Sequence, residues 1–150
     1  MSTTRHSLTG FHEYKMDPKF RVSIPVDWRP EKGETLRLQL SRRHDMPVIK
    51  VLTEAAFAHR VSTIENSSLT PAQKDDMLGK LHMLCKDATL NEQGKLLIPK
   101  DWSEKAGLEA DKEVFLAGRG KHFEVWNAEN GQQMKDIETS AQVIDELGVF

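Results

Sequence analysis

The sequence contains a single cysteine, Cys85, among its 150 residues. One cysteine excludes an intrachain disulfide, which fits a reducing compartment. No apolar run approaches the roughly 18 residues that a membrane-spanning helix needs. Residues 1–10 also lack the continuous apolar segment of a secretory signal peptide. These absences predict a cytoplasmic protein with no membrane partner.

Motifs of enzymes are also scarce. Residues 117–121 contain glycines but are too short, and lack the Lys-Ser/Thr ending of a phosphate-binding loop. His82 and Cys85 have the spacing of half a metal site, yet no second pair has ligand spacing and both fall on a predicted helix. A small hydrolase or metal enzyme would require distant His and Cys residues to converge. The sequence therefore predicts no enzyme, cofactor, metal or small-molecule substrate.

The charge is unevenly distributed along the chain. The whole sequence has a formal net charge of −2 and 38% hydrophobic residues, typical of one globular domain. Residues 1–52 nevertheless carry ten basic and six acidic side chains, whereas residues 53–150 carry eleven basic and seventeen acidic ones. This segregation indicates that the N-terminal part meets an anion.

An internal repeat is the clearest pattern. The segment "MDPKFRVSIPVDW" (16–28) aligns with "LNEQGKLLIPKDW" (90–102), so that Ile-Pro-x-Asp-Trp occurs twice. In this repeat alignment Asp17 matches Asn91, Phe20 matches Gly94 and Arg21 matches Lys95. The pattern predicts a duplicated unit in which a polar turn precedes a short strand ended by proline. Trp28 and Trp102 are interpreted as core anchors.

Hydrophobic periodicity predicts an α+β fold. Alternation by two predicts strands, with turn clusters at 41–45 and 118–121 and short helical or turn pieces at 29–33 and 103–107. The predicted strands are 22–24, 34–40, 46–52, 96–98, 113–118 and 122–126. Helical spacing predicts helices over 53–67, 70–88 and 128–147. Thr70, Pro71 and Gln73 form a capping-box signature for the second helix, whose apolar side is Met77, Leu78, Leu81, Leu84 and Cys85.

These residues resemble the MraZ family of bacterial transcriptional regulators over roughly residues 9–147. That family carries a D-x-x-x-R motif followed by a strand and a proline. The first copy here runs from Asp17 to Arg21 with Pro25, and has Phe20 where the family has glycine. The second copy keeps the glycine and the proline, but has Asn91 for Asp and Lys95 for Arg.

The resemblance implies two tandem AbrB-like swapped-hairpin β units that form a small barrel core, with helices after each unit. Residues 9–53 would be the first repeat, 54–87 a helical connector, 88–127 the second repeat and 128–147 a C-terminal helix. It also implies a nucleoid-associated homo-oligomeric ring. Such a ring binds repeated promoter boxes of the division and cell-wall gene cluster in double-stranded DNA through the D-x-x-x-R loop.

Roles for single residues follow from this resemblance. Arg21 would bind a guanine edge or a phosphate bidentately. Lys19 and Lys15 would neutralise phosphates as point charges, and Asp17 would orient Arg21. Lys95 would contribute less, so the second repeat is expected to be chiefly structural or assembling.

Two alternatives stay open. Asp17 and Arg21 could form only an exposed salt bridge, worth about 0–1 kcal/mol. The chain could also be an AbrB-like protein-interaction or assembly module without DNA readout, as its acidic second half suggests.

Overall fold

The computed structural model describes residues 7–140, 145 and 147–150. Along these residues, groups of strands are followed by helices, as the sequence predicts for this α+β protein. The strands are β1 (Phe11–Lys15), β2 (Arg21–Ser23), β3 (Leu36–Arg43), β4 (Met46–Leu52), β5 (Cys85–Ala88), β6 (Lys95–Leu97), β7 (Glu113–Gly118) and β8 (His122–Asn127). The helices are α1 (Glu54–Glu65), α2 (Pro71–Met83), α3 (Lys100–Lys105) and α4 (Ala128–Glu138).

The strands form one large sheet and one small ribbon. Six antiparallel strands lie in the order β1-β7-β8-β4-β3-β5, and β2 pairs with β6 in a separate two-stranded ribbon. The hairpins β3–β4 and β7–β8 match the prediction. Within the described ranges no pairing joins the edge strands β1 and β5. The described strands form no closed barrel, because each edge strand has only one partner, so the expected small barrel core is not confirmed.

The repeat alignment, in which Pro25 matches Pro99, relates most of these elements. It carries β1 onto β5, β2 onto β6 and the start of α1 onto the start of α4. The first strand of each half pairs with the other half, β1 with β7 and β5 with β3. The ribbon β2–β6 and the central pair β4–β8 also join the two halves. Consequently the halves interlock, and neither has a complete set of strand partners alone.

The main core lies between the ribbon and one face of the sheet. Val22 and Leu96, the central residues of the ribbon strands, are fully buried there. Ile49 and Val51 of β4 face them from the sheet. Trp28 is also buried in this core and Trp102 packs against it, as the sequence predicts. Burial of this many apolar side chains holds the ribbon firmly on the sheet.

Helices α1, α2 and α4 cover the opposite face of the sheet. Alternation along β4 places Leu52 against α1, where Phe57 lies, and Val48 near Met134 of α4. The predicted capping box of α2 is present, with both reciprocal hydrogen bonds between Thr70 and Gln73. No helix within residues 7–140 is long and apolar enough to cross a membrane.

Several predicted boundaries are wrong. Helix α2 ends at Met83, and Cys85–Ala88 is the edge strand β5 rather than helix, because β3 supplies its hydrogen-bond partners. Met77, assigned to the apolar side of α2, is 43% exposed. β3 continues to Arg43, so the turn at 41–45 shrinks to His44 and Asp45, both with positive φ.

Other differences concern the short helices and the chain ends. A 3-10 turn at Val26–Trp28 replaces the piece predicted at 29–33, and α3 begins before the predicted 103–107. β1 has no counterpart among the predicted strands. α4 ends at Glu138 instead of 147, and the part of that prediction at 141–144 and 146 lies outside the described residues.

Candidate nucleic-acid interface

The first loop, residues 17–21, is held by the side chain of Asp17. Its Oδ1 accepts hydrogen bonds from the backbone N–H groups of Lys19 and Arg21, both at 2.8 Å. The backbone closes the same turn, since Phe20 N donates to Asp17 O and Asp17 N donates to Arg21 O. An aspartate bonded to the backbone in this way favours a tight turn.

The second loop, residues 91–95, repeats these bonds with an amide oxygen. Asn91 Oδ1 accepts from the backbone N–H groups of Gln93 and Lys95, both at 2.9 Å. Gly94 N donates to Asn91 O, and Asn91 N donates to Lys95 O. Replacing Asp with Asn therefore keeps the shape of the turn and removes only its charge.

Phe20 does not distort the first loop. Its φ is 61°, close to the 76° of Gly94 at the equivalent position. A residue with a Cβ pays roughly 1–2 kcal/mol for this left-handed conformation. The ring of Phe20 packs against the main core, which offsets part of that cost.

Hydrogen bonds between the two halves fix each loop at one end of the ribbon. Ile24 N donates to Gly94 O at 3.1 Å, and Ile98 N donates to Phe20 O at 3.0 Å. The strand that leaves each loop is thus tied to the other loop. Because β2 and β6 are antiparallel, the two loops lie at opposite ends of the ribbon. Each strand has only three residues, so the Lys95 side chain still reaches the first loop.

Asp17 is also the electrostatic centre of the two loops. Its Oδ2 lies 2.8 Å from Arg21 Nε and 3.8 Å from Lys95 Nζ. Burial opposes its ionisation, but hydrogen bonds from Arg21 and from the backbone of Lys19 outweigh that effect and lower the pKa of the Asp17 carboxyl. Asp17 is therefore ionised at neutral pH and holds cations from both loops.

The remaining predicted cations differ in their surroundings. Lys19 is exposed on the first loop. Lys15 is exposed at the end of β1, where the strand register sets it opposite Glu113. The cations carried by the two loops themselves are Lys19, Arg21 and Lys95.

Sequence reasoning missed Arg29, which contacts the second loop and the residue that follows β2. Its Nε donates to Ile24 O at 3.0 Å. Its guanidinium covers Gly94 so closely that a Cβ added to that glycine would overlap Arg29 Cζ. Ser103, which matches Arg29 in the repeat alignment, donates from Oγ to Ile98 O at 2.9 Å. The repeat alignment sets the polar residues Arg29 and Ser103 at equivalent positions, and this was the sequence signal that could have identified them.

A second charged cluster lies on the helix face of the sheet. Glu124 is fully buried and accepts hydrogen bonds from Arg43 Nε (2.8 Å), Arg119 Nε (3.1 Å) and Trp126 Nε1 (3.1 Å). Burial opposes its ionisation, but nearby His122, Arg43 and Arg119 lower its pKa to about 2.

Arg119 also binds the Glu138 carboxylate bidentately, at 2.6 and 2.7 Å. This ion pair ties α4 to the sheet. The sequence signal for the cluster is a glutamate among the apolar residues Phe123, Val125 and Trp126 of β8. Because the cluster is on the face opposite the ribbon, we assign it a structural role.

The candidate metal and nucleophile residues do not come together. His82 lies on α2 with its ring 5.2 Å from that of Phe57, and Cys85 lies on β5. In the described parts of the chain, no group of three or more His, Cys, Asp or Glu residues is arranged to hold a metal ion.

Comparison with known proteins adds a family relationship. No family model matches the chain. The "Transcriptional regulator MraZ" of Caldicellulosiruptor saccharolyticus is 30% identical over 161 residues, covering 95% of this chain and 99% of the relative. The protein of the same name from Gluconacetobacter diazotrophicus is 29% identical over 123 residues, covering 78% and 76%. That of Dictyoglomus thermophilum is 28% identical over 145 residues, covering 92% and 91%.

Proposed function

Because the chain belongs to the MraZ family, we propose that it is a transcriptional regulator that binds double-stranded DNA. The observation that carries the proposal is the sharing of one carboxylate by cations of both loops across the short ribbon. That carboxylate, Asp17, holds Arg21 at 2.8 Å and Lys95 at 3.8 Å. Lys19 adds a third cation on the exposed side of the first loop.

Arg21 is the residue proposed to contact a base edge or a phosphate of the DNA. Its Nε is occupied by Asp17, whereas its two terminal nitrogens make no hydrogen bond with any described residue. Its side chain is 34% exposed. A guanidinium held by Nε presents its two terminal amino groups as a fork, which matches a guanine edge or a phosphate. Asp17 thereby orients Arg21 and does not itself contact DNA.

The lysines are proposed to contact phosphates. Lys19 and Lys15 would act as point charges that set the position of the protein on the duplex. Lys95 would contribute less than Arg21, because an ammonium offers no planar fork. The first loop is therefore proposed to dominate DNA binding, with the second loop chiefly supporting it.

Assembly is the proposed source of affinity. A homo-oligomeric ring would present several such loops at fixed spacing to repeated boxes in the promoter of the division and cell-wall gene cluster. Multivalency of this kind explains how a protein with a sequence pI of about 6.3 binds a polyanion. Nucleoid association in the cytoplasm would follow from it.

The proposed domain organisation follows the repeat. We interpret residues 9–53 and 88–127 as AbrB-like units, joined by the helical connector 54–87 and followed by the C-terminal helix 128–147. The constant spacing between equivalent strands of the two halves supports this division. The exchange of β1 and β5 between the halves supports a swapped arrangement.

An assembly module without DNA readout is the second candidate. Exposed apolar side chains on the described surface favour it, among them Val26 (71% exposed) and Met83 (72% exposed). Such side chains suit contacts between protein subunits. The terminal nitrogens of Arg21, to which no described residue is hydrogen-bonded, argue for the first candidate.

Fluorescence anisotropy with the DNA upstream of the protein's own gene separates the two. We expect tight binding whose affinity falls steeply with salt, because counterions are released from the phosphates. Arg21→Ala should weaken binding by about ten- to a hundredfold, the scale of one bidentate base contact.

The matched control is Lys80→Ala, which removes one exposed positive charge from α2, away from the ribbon. It should leave affinity within about twofold of the wild type. Absence of wild-type binding at low salt would contradict the proposal and favour the assembly module.

A further inference from the structure

The outer face of the ribbon carries four side chains. In the antiparallel register of β2 and β6, Arg21 lies opposite Leu97, Val22 opposite Leu96 and Ser23 opposite Lys95. Val22 and Leu96 are fully buried against the sheet. Because side chains alternate along a strand, the two flanking pairs point away from the core. Arg21, Leu97, Ser23 and Lys95 therefore form the outer face.

Leu97 is the exception on this polar face, since it is 50% exposed. A single exposed leucine needs no explanation by itself. Leu97, however, lies directly opposite Arg21 and on the same face as Lys95. Its counterpart in the repeat alignment is the polar Ser23. An apolar side chain beside two cations matches a binding partner whose surface is negatively charged and also carries an apolar group.

The major groove of B-form DNA has these properties. It admits a two-stranded β-ribbon, and its edge carries one apolar group, the C5-methyl of thymine, among hydrogen-bonding groups. We propose that Leu97 is a specificity-determining residue that packs on a thymine methyl beside the base contacted by Arg21. This inference rests on the proposed function.

The geometry limits where that thymine lies. Side chains opposite each other on paired strands have Cβ atoms about 4.5–5.5 Å apart. Successive base pairs are about 3.4 Å apart along the duplex. The thymine is therefore expected one or two base pairs from the position read by Arg21.

The test removes the methyl from the DNA and the leucine from the protein. Once a bound site is defined on the upstream DNA, each of its thymines is replaced in turn by deoxyuridine, which differs only by the methyl. One replacement should lower wild-type affinity by about fourfold, the value of one buried methyl. Leu97→Ser should bind the unmodified site about as weakly, and should no longer distinguish thymine from deoxyuridine.

Val26→Ser is the matched control, because Val26 is a more exposed apolar residue outside the ribbon strands. It should retain the full sensitivity to deoxyuridine. Thermal unfolding of both variants checks that each remains folded, as expected for exposed positions.

The possible failures are distinguishable. If the wild type binds no DNA, the proposed function and this inference are both wrong. If it binds a specific site but every deoxyuridine affects the wild type and Leu97→Ser equally, only this inference is wrong. If Leu97→Ser changes the mass of the oligomer and not the deoxyuridine response, this inference is also wrong and Leu97 belongs to a subunit interface.

Discussion

The two loops of the ribbon have the same backbone and different chemistry. Each is closed by a side-chain oxygen that accepts two backbone N–H groups, from Asp17 in one loop and Asn91 in the other. Each has a residue with positive φ before its cation. The first ends in Arg21 and the second in Lys95. Turn shape thus depends on an Asx oxygen and one left-handed residue, and the charge that the turn presents varies independently.

The positions that support the loops differ in size. Gly94 lies beneath the guanidinium of Arg29, which donates to Ile24 O. The equivalent pair in the repeat alignment is Phe20 and Ser103, with Ser103 donating to Ile98 O. One pair combines a small loop residue with a long supporting side chain, and the other combines a large loop residue with a short supporting side chain. Both combinations satisfy the equivalent carbonyl.

Exchanging the chemistry of the loops should produce the largest effect. Asp17→Asn with Arg21→Lys gives the first loop the polar residues of the second, and should reduce DNA affinity by about ten- to a hundredfold through loss of the bidentate fork. Asn91→Asp with Lys95→Arg makes the reverse change and should increase affinity, because a second oriented arginine is created.

Anisotropy titrations at one fixed salt concentration measure both variants. The single change Lys95→Ala should cost only a few-fold in affinity. A loss equal to that of Arg21→Ala would show that the loops contribute equally, against the asymmetry proposed above.

The support of the second loop should be sensitive to Gly94→Ala. A Cβ there requires a strained φ of +76° and displaces Arg29 from Ile24 O. We expect a loss of about 2 kcal/mol in the free energy of unfolding, from roughly 1 kcal/mol of backbone strain and about 1 kcal/mol for the lost hydrogen bond.

Gly33→Ala is the control for backbone strain alone. Gly33 has a φ of +89°, and its added Cβ would meet nothing within 4 Å. Gly33→Ala should lower the free energy of unfolding, measured by urea denaturation, by only about 1 kcal/mol. Equal losses in the two variants would mean that Arg29 does not support the loop.

The charge of Asp17 should have the smallest effect, visible as pH dependence. Its pKa in the folded protein lies below the ordinary value of 3.8. Its ionised form therefore stabilises the fold above that value, and this stability is lost as the pH falls through the folded pKa. Asp17→Asn should be less stable at pH 7 by under about 1 kcal/mol.

Urea denaturation at a series of pH values measures this difference. The gap between wild type and Asp17→Asn should close as the pH is lowered below 3.8. A difference in the free energy of unfolding that does not change with pH would mean that the charge is not its cause. The difference would then come from the geometry of the turn hydrogen bonds, which an Asn side chain can also accept.

Much of the candidate site was predictable because its signals are local. A turn closed by Asp17 or Asn91 within a few residues, a proline after each strand and the capping box at Thr70 all depend on neighbours in the sequence. The repeat also aligned Arg21 with Lys95. The role of Arg29 was not predictable, because its contact is with Gly94 in the other half of the chain.

The sequence by itself determined the α+β class, the two turns and which residues each turn presents, since these follow from local hydrogen bonding and periodicity. Only the tertiary structure decided that β1 and β5 are strands, because each takes its hydrogen bonds from the opposite half. It also decided that both cations share Asp17, because Ile24 and Ile98 bind across the ribbon to the other loop. Pairing between distant segments depends on three-dimensional packing, which local sequence preference does not encode.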